Sequence, residues 1–135
     1  MPTKPPVYRP LGFAEARLEA ERAYERRRGS ARERGYTAAW SRAAADHRRH
    51  HPLCVGCQAR GRYVPATLVD HVVPHDGDAA LFWDRSNWQS SCTWCHSVVK
   101  QALERAWRAG RLAVAALRLN SPDAVALARR MRGEA

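Results

Sequence analysis

The amino-acid sequence predicts an α+β fold in which a β-hairpin and a following helix form the core. Residues 63–73 are rich in β-branched and aromatic side chains, which is typical of a strand, and residues 87–91 form a short candidate return strand. From residue 93 to residue 108, apolar pairs recur every four residues, which indicates an amphipathic helix. Two Cys-x-x-Cys pairs flank this hairpin and predict a metal site beside it.

Flanking helices are predicted on both sides of this core. Residues 13–28 are rich in Ala, Glu and Arg, which favours a helix. A second helix is expected to begin after Thr37, a suitable N-cap, and to end near His50, because Pro52 cannot continue it. A last helix is expected to begin after Ser121, which is followed by a proline suited to the first helical turn.

The length of 135 residues fits one domain with helical appendages. We predict an extended leader and helical arm at residues 1–35, a central domain at residues 36–109 and a helical tail at residues 110–135. No segment approaches the roughly 20 consecutive apolar residues of a membrane span, and the start lacks the apolar run of a signal peptide. We therefore expect no membrane partner and a cytoplasmic location.

The charge of the chain favours a polyanionic partner. Arg and Lys number 23 against 13 Asp and Glu, which gives a net charge of +10, and the only lysines are Lys4 and Lys100. A basic surface made of arginine suits nucleic acid. A solvated basic face, together with the arginine bias of a high-GC genome, would give the same composition. Charge alone does not decide between the two.

The cysteines have the spacing of a structural zinc site. Each Cys-x-x-Cys pair can bring two thiolates to one metal, and two pairs complete a tetrahedral site with no position open to substrate. In a reducing compartment, metal binding explains this arrangement better than disulfides do. The alternatives are four reduced cysteines buried as small apolar groups, or a redox pair, although no thioredoxin-like pattern surrounds either pair. The four residues are Cys54, Cys57, Cys92 and Cys95.

The order of motifs between and after the cysteine pairs resembles a known family. The first pair is followed by the sequence DHVVPH at residues 70–75, then by Asn87-Trp-Gln, and the second pair is followed directly by His96. This order is similar to that of the zinc-stapled HNH endonucleases, which include small stand-alone phage proteins, and the resemblance covers about residues 36–105. It implies the ββα-metal fold and hydrolysis of phosphodiester bonds in DNA, with residues 36–109 as the nuclease domain.

The resemblance also implies roles for individual residues. Asp70 and His96 would hold one catalytic divalent cation, and His71 would act as the general base, for which a neutral imidazole is suited. Asn87 would orient the loop between the strands. A site of one carboxylate and one imidazole admits Mg²⁺, Mn²⁺, Ni²⁺, Co²⁺ or Zn²⁺, so its metal stays open.

The sequence leaves the roles of three residues more open. His75 is an accessory candidate that could support the site. Lys100 lies four residues after His96 and is expected to contact phosphate, although in the commonest family ending the lysine follows the histidine by three residues. Taken alone, His96 could also face solvent or compete as a zinc ligand.

Two other functions compete with a DNA nuclease. One is a non-catalytic, zinc-stapled module that binds nucleic acid and has lost the chemistry. The other, which rests on the family resemblance, is an accessory of phage DNA packaging that acts with the terminase subunits. Both would act in a bacterial or phage-infected host cell.

Overall fold

The computed structural model of the protein describes residues 12–29 and 34–134, which belong to two compact units, residues 1–36 and 37–135. In the first unit, helix α1 (Phe13–Arg28) confirms the helix predicted over the same residues. Its surface carries ion pairs such as Arg17 with Glu21. The predicted extended leader falls on residues 1–11, outside the described residues. In the described ranges, no helix has the length and apolar character to cross a membrane.

The second unit combines helices with a two-stranded antiparallel sheet, which confirms the predicted α+β class. A 3₁₀ turn precedes the second strand, a π-helical segment precedes α5, and another 3₁₀ turn precedes α6. In chain order the elements are α2 (Ala38–His50), α3 (Val55–Ala59), β1 (Leu68–His71), α4 (Ala79–Trp83), the 3₁₀ turn Arg85–Asn87, β2 (Trp88–Ser91), the π segment Cys95–Lys100, α5 (Gln101–Arg108), the 3₁₀ turn Val114–Leu117 and α6 (Pro122–Arg132).

The register of the hairpin decides which side chains share a face. In the pairing of β1 with β2, Asp70 lies opposite Gln89 and His71 lies opposite Trp88. Successive strand residues point to opposite faces of a sheet. Asp70 and Gln89 therefore share one face, whereas His71 and Trp88 share the other.

The first strand is shorter than the sequence predicts. It begins at Leu68 rather than near residue 63, because Pro65 has no amide hydrogen to donate and takes part only in an isolated bridge with Leu53. The chain does not pass directly from β1 to β2. Instead, the Asp78 side chain accepts hydrogen bonds from the amides of Ala80 and Leu81 and thereby begins α4, a short helix that the sequence pattern did not predict.

Each face of the hairpin packs on its own cluster of buried side chains. One cluster covers the face of His71 and consists of Trp40, Ala44, Val69, Phe82 and Trp88. The other cluster surrounds the four cysteines and includes Val72, Val99, Leu103, Leu117, Leu119, Ala124 and Ala128. The hairpin is therefore enclosed between two packed layers.

Residues beyond position 110, predicted as a tail, supply part of the second cluster. Leu117 and Leu119 are fully buried there, as are Ala124 and Ala128 of α6. Ser121 caps this helix as predicted, since its Oγ accepts a hydrogen bond from the Ala124 amide at 3.1 Å. The leucines lie in and after an irregular 3₁₀ turn, so no helical or strand periodicity marks them as core residues.

Gly56 is a position where the packing leaves little room for a side chain. A methyl group there would lie 3.2 Å from Cys95 Sγ and 3.2 Å from Leu119 Cβ. We expect G56A to lower the free energy of unfolding by about 1–3 kcal/mol, the usual cost of overpacking a core, although alanine is the better helix former. Urea unfolding followed by circular dichroism measures the change. Q58A, at an exposed position of the same helix, is the matched control, and a G56A protein as stable as Q58A would contradict the packing argument.

Candidate active site

The four cysteines of the two Cys-x-x-Cys pairs converge in the core. Their sulfur atoms all lie within 4.8 Å of one another and are buried. Cys57 Sγ lies 3.7 Å from Cys92 Sγ and 3.8 Å from Cys95 Sγ. In a tetrahedral zinc site with Zn–S bonds of about 2.3 Å, sulfur atoms are about 3.8 Å apart. Both of these distances match that spacing, so the cluster fits a zinc site.

The thiols of this cluster influence one another strongly. Burial and the neighbouring Cys54 thiolate raise the pKa of Cys57 to about 11. A hydrogen bond with Cys95 lowers the pKa of Cys54 to about 4, although burial opposes this. Four thiolates in this space require a cation that offsets their repulsion, as a bound metal does.

Asp70 is the centre of a polar cluster on one face of the hairpin. Its Oδ1 lies 3.2 Å from His96 Nδ1, and its Oδ2 accepts hydrogen bonds from Gln89 Nε2 at 2.9 Å and from Lys100 Nζ at 3.0 Å. Burial opposes ionisation of this carboxyl, but the hydrogen bond with His96 and the charge of Lys100 outweigh it, so the pKa of Asp70 lies below its ordinary value. The carboxylate is therefore charged at neutral pH and held in one orientation.

The geometry of Asp70 and His96 fits a shared divalent cation. Two ligand atoms about 2.1 Å from a metal on adjacent octahedral positions are about 3 Å apart, close to the 3.2 Å between Asp70 Oδ1 and His96 Nδ1. The His96 side chain is 37% exposed, whereas that of Asp70 is buried. Solvent can therefore reach this pair from the His96 side, where water or a phosphate oxygen would complete the coordination.

His71 lies on the opposite face of the hairpin with its ring fixed on two sides. Its Nε2 donates a hydrogen bond to the Phe82 carbonyl oxygen at 2.9 Å, and the ring stacks on Trp40 with centroids 4.8 Å apart. Because a carbonyl only accepts, this bond keeps the proton on Nε2 and leaves the lone pair of the neutral ring on Nδ1. Burial lowers the pKa of His71, which favours the neutral form that a general base requires.

Asn87 ties together the backbone around His71. Its Oδ1 accepts a hydrogen bond from the Val73 amide at 2.8 Å, and its Nδ2 donates to the carbonyl oxygens of Val73 at 3.0 Å and Leu81 at 3.2 Å. The side chain therefore joins the end of β1 to α4, the helix that supplies the Phe82 carbonyl. In this position it orients the loop and the partner of His71.

His75 lies beside His71. Their ring centroids are 5.0 Å apart in an edge-to-face arrangement, and His75 Nδ1 accepts a hydrogen bond from the Gly77 amide at 3.1 Å. The structure therefore brings His75 to the face that carries His71 and packs it against Phe82 as well.

Lys100 lies in the interior, which corrects the sequence-based expectation of a phosphate contact. The side chain is fully buried, and its Nζ donates to the His71 carbonyl oxygen at 2.8 Å and to Glu104 Oε1 at 2.8 Å, besides pairing with Asp70. A buried ammonium needs such partners, and here they face inward. Lys100 supports the Asp70 carboxylate and cannot reach a phosphate at the surface in this arrangement.

The π-helical segment explains the unusual spacing between His96 and Lys100. A π turn closes its hydrogen bonds from residue i to residue i+5 and so holds one more residue than an α turn. The segment Cys95–Lys100 thereby takes up the additional residue that separates this chain from the commonest family ending. Both side chains reach Asp70 as a result.

Gln89 is a site residue that the sequence reasoning missed. Besides donating to Asp70, its Nε2 donates to the Leu117 carbonyl oxygen at 3.2 Å, and its Oε1 accepts from the Leu119 amide at 2.9 Å. The sequence contains the pattern Asn87-x-Gln89, but the pattern alone indicates no role for the glutamine. The hairpin register indicates the role, because it sets Gln89 opposite Asp70. Trp40 was likewise assigned no role in the site, although it stacks on His71.

Comparison with known proteins identifies this part of the chain. Residues 54–101 match the family model described as HNH endonuclease. Residues 54–101 are therefore similar to an HNH domain, and the term HNH domain refers to these residues below. This confirms the resemblance that the motifs indicated. No curated protein and no solved structure matches the chain.

The HNH domain contains the whole polar cluster and both cysteine pairs. The matched residues span the four cysteines, the hairpin and the π segment up to Gln101. Its family indicates a nuclease-type or nucleic-acid-related function and suggests DNA as the substrate, and its cysteine cluster suggests bound zinc. Helices α2 and α6 lie outside the matched residues and pack against the domain through Trp40 and Ala128.

Gln89 offers a test of how the C-terminal segment supports the HNH domain. Replacement by leucine preserves the approximate volume but leaves the Leu117 carbonyl and the Leu119 amide without this partner, and unsatisfied buried groups are costly. We expect Q89L to lower the free energy of unfolding by about 2–3 kcal/mol in urea denaturation. Q101L, at an exposed glutamine, controls for the added apolar surface. Equal stabilities of Q89L and Q101L would show that these hydrogen bonds contribute little.

Proposed function

We propose that this protein is a metal-dependent DNA endonuclease that hydrolyses phosphodiester bonds. The observation that carries the proposal is the HNH domain match over residues that include a carboxylate and imidazole 3.2 Å apart and a second imidazole with a fixed proton. A protein that only binds nucleic acid has no need for either arrangement. The match supports this reaction class, and the geometry supports the roles proposed below.

His71 acts as the general base. The Phe82 carbonyl holds the Nε2 proton, so Nδ1 is the atom that accepts a proton from the attacking water. Stacking on Trp40 prevents the ring from rotating away from this orientation. Asn87 maintains the arrangement through Val73 and Leu81, and it acts as a positioning residue rather than a proton carrier.

Asp70 and His96 hold one divalent cation, such as Mg²⁺, Mn²⁺ or Ni²⁺. When bound, this cation would offset the negative charge on the scissile phosphate and on the leaving oxygen. Lys100 and Gln89 bind Oδ2 of Asp70, so its Oδ1 is directed toward His96. The two protein ligands leave positions for water and the substrate.

The four cysteines hold a structural zinc ion. With four sulfur ligands the ion has no position open to substrate, so its role is to join α3 to the turn that begins the helix of His96.

His75 stays a candidate accessory residue next to His71. An association with packaging terminase rests on the family resemblance alone and stays a prediction.

The general base gives the most direct test of catalysis. We expect H71A to lose roughly 100- to 10,000-fold in the rate of nicking of supercoiled plasmid with Mg²⁺ or Mn²⁺, which is the usual contribution of a general base. Its zinc content and DNA affinity should persist. The matched control is H50A, since His50 is an exposed histidine at the end of α2.

Two results would contradict this assignment. Equal nicking rates for H71A and the wild-type protein would exclude His71 as the base. A wild-type protein that binds DNA but cuts with none of the divalent cations would favour the non-catalytic module instead.

The ligand role of His96 is tested separately from catalysis. We expect H96A to lose the wild-type protein's binding of Mn²⁺, measured by electron paramagnetic resonance, while it keeps one zinc per chain by elemental analysis. The reason is that only two protein side chains hold the catalytic cation, whereas zinc has four cysteines. Loss of zinc in H96A would instead identify His96 as a competing zinc ligand.

A further inference from the structure

A buried arginine lies against the cysteine cluster. The Arg60 side chain is 2% exposed and follows directly after α3. Its Nη1 lies 3.9 Å from Cys95 Sγ, and its Nη2 lies 3.8 Å from Cys57 Sγ. The two amino groups of the guanidinium therefore face one sulfur from each Cys-x-x-Cys pair.

In the described part of the chain, one carboxylate lies within 4 Å of the Arg60 guanidinium, and Arg60 shares it with Arg62. Nη1 donates to the Gly56 carbonyl oxygen at 3.4 Å, and Nε has no hydrogen-bond partner in the described part of the chain. The carboxylate of Glu134 lies 4.0 Å from Nε, is 25% exposed and also pairs with Arg62. A buried cation is costly unless an anion accompanies it.

The sulfur cluster is the anion that fits this position. Four neutral thiols would leave the guanidinium with only the carboxylate that it shares with Arg62, whereas four thiolates around one Zn²⁺ carry a net charge of −2. The arginine thus favours a metal thiolate cluster over the alternative of four reduced cysteines. Groups that donate hydrogen bonds to metal ligands support metal binding, and their removal typically weakens it.

We propose that Arg60 is a positioning residue of the zinc site, whose guanidinium offsets part of the charge of the zinc-bound thiolates and thereby strengthens zinc binding. This inference rests on the proposed zinc site. It adds a residue that is neither a ligand nor part of the polar cluster at Asp70.

The Arg60 side chain is largely removed from solvent and packs against the Trp94 ring. The guanidinium carbon of Arg60 lies 5.5 Å from the centroid of the Trp94 ring, and that of Arg132 lies 3.8 Å from the same ring. Electrostatic attraction is stronger where water is excluded. The charge of Arg60 therefore acts strongly on the neighbouring sulfurs.

The test measures the zinc affinity of the full chain by competition with a chelator. We expect R60M to bind Zn²⁺ roughly 10- to 100-fold more weakly, the range found when groups that support metal ligands are removed. R62M is the matched control, because Arg62 also pairs with Glu134 but is 45% exposed and neighbours the carboxylate rather than the thiolates. R62M should keep the wild-type affinity.

The outcomes separate this inference from the zinc site itself. If the wild-type chain bound no zinc, the proposed zinc site would fail and this inference with it. If wild type and R60M bound zinc equally, or R62M weakened binding as much as R60M, the role of Arg60 would be overturned and the zinc site retained. Should R60M not fold, R60Q takes its place. It removes the charge but keeps a polar N–H donor, and zinc affinity equal to wild type would then overturn the charge-offsetting role of Arg60.

Discussion

The position of His96 depends on the cysteine cluster directly before it in the chain. Cys92 and Cys95 begin the turn that leads into the π segment, and their sulfurs meet those of the first pair in the core. Of the first pair, Cys54 precedes α3 as its N-cap and Cys57 lies within it. This helix is only five residues long and could not hold its place by its own hydrogen bonds. Bound metal would make this junction rigid, since its binding free energy adds to the folding free energy. The 3.2 Å separation of Asp70 and His96 follows from this junction together with the hairpin.

The alternation of the strand then divides the two chemical tasks between neighbouring residues. Asp70 faces the π segment, where Lys100 and Gln89 keep its carboxylate charged and oriented. His71 faces the aromatic cluster, where a backbone carbonyl and a stacked ring orient the imidazole. Lys100 connects the two faces, because its ammonium binds both the Asp70 carboxylate and the His71 carbonyl oxygen. A one-residue slip of the strand would exchange the two environments.

The sequence predicts those features that are encoded locally. The cysteine spacing, the order of Asp70, His71 and Asn87, and the helix caps at Thr37 and Ser121 are all visible in short segments. Lys100 was misassigned because helix periodicity assumes α geometry and says nothing about burial. Gln89 and Arg60 were not recognised because their partners lie far away in the chain, at Leu117 and Cys95 respectively. Such contacts depend on tertiary packing, which no local pattern contains.

The proposed function requires two separate metal sites. One is closed and made of four sulfurs, and the other is open and made of one carboxylate and one imidazole. The most direct measurement is a crystal structure of the protein grown with Zn²⁺ and Mn²⁺, with anomalous scattering recorded at each metal edge. We predict a zinc peak bonded only to Cys54, Cys57, Cys92 and Cys95, and a separate manganese peak bonded to Asp70 and His96. A zinc ion bonded to His96, or an Asp70 site without a metal ion at saturating Mn²⁺, would contradict it.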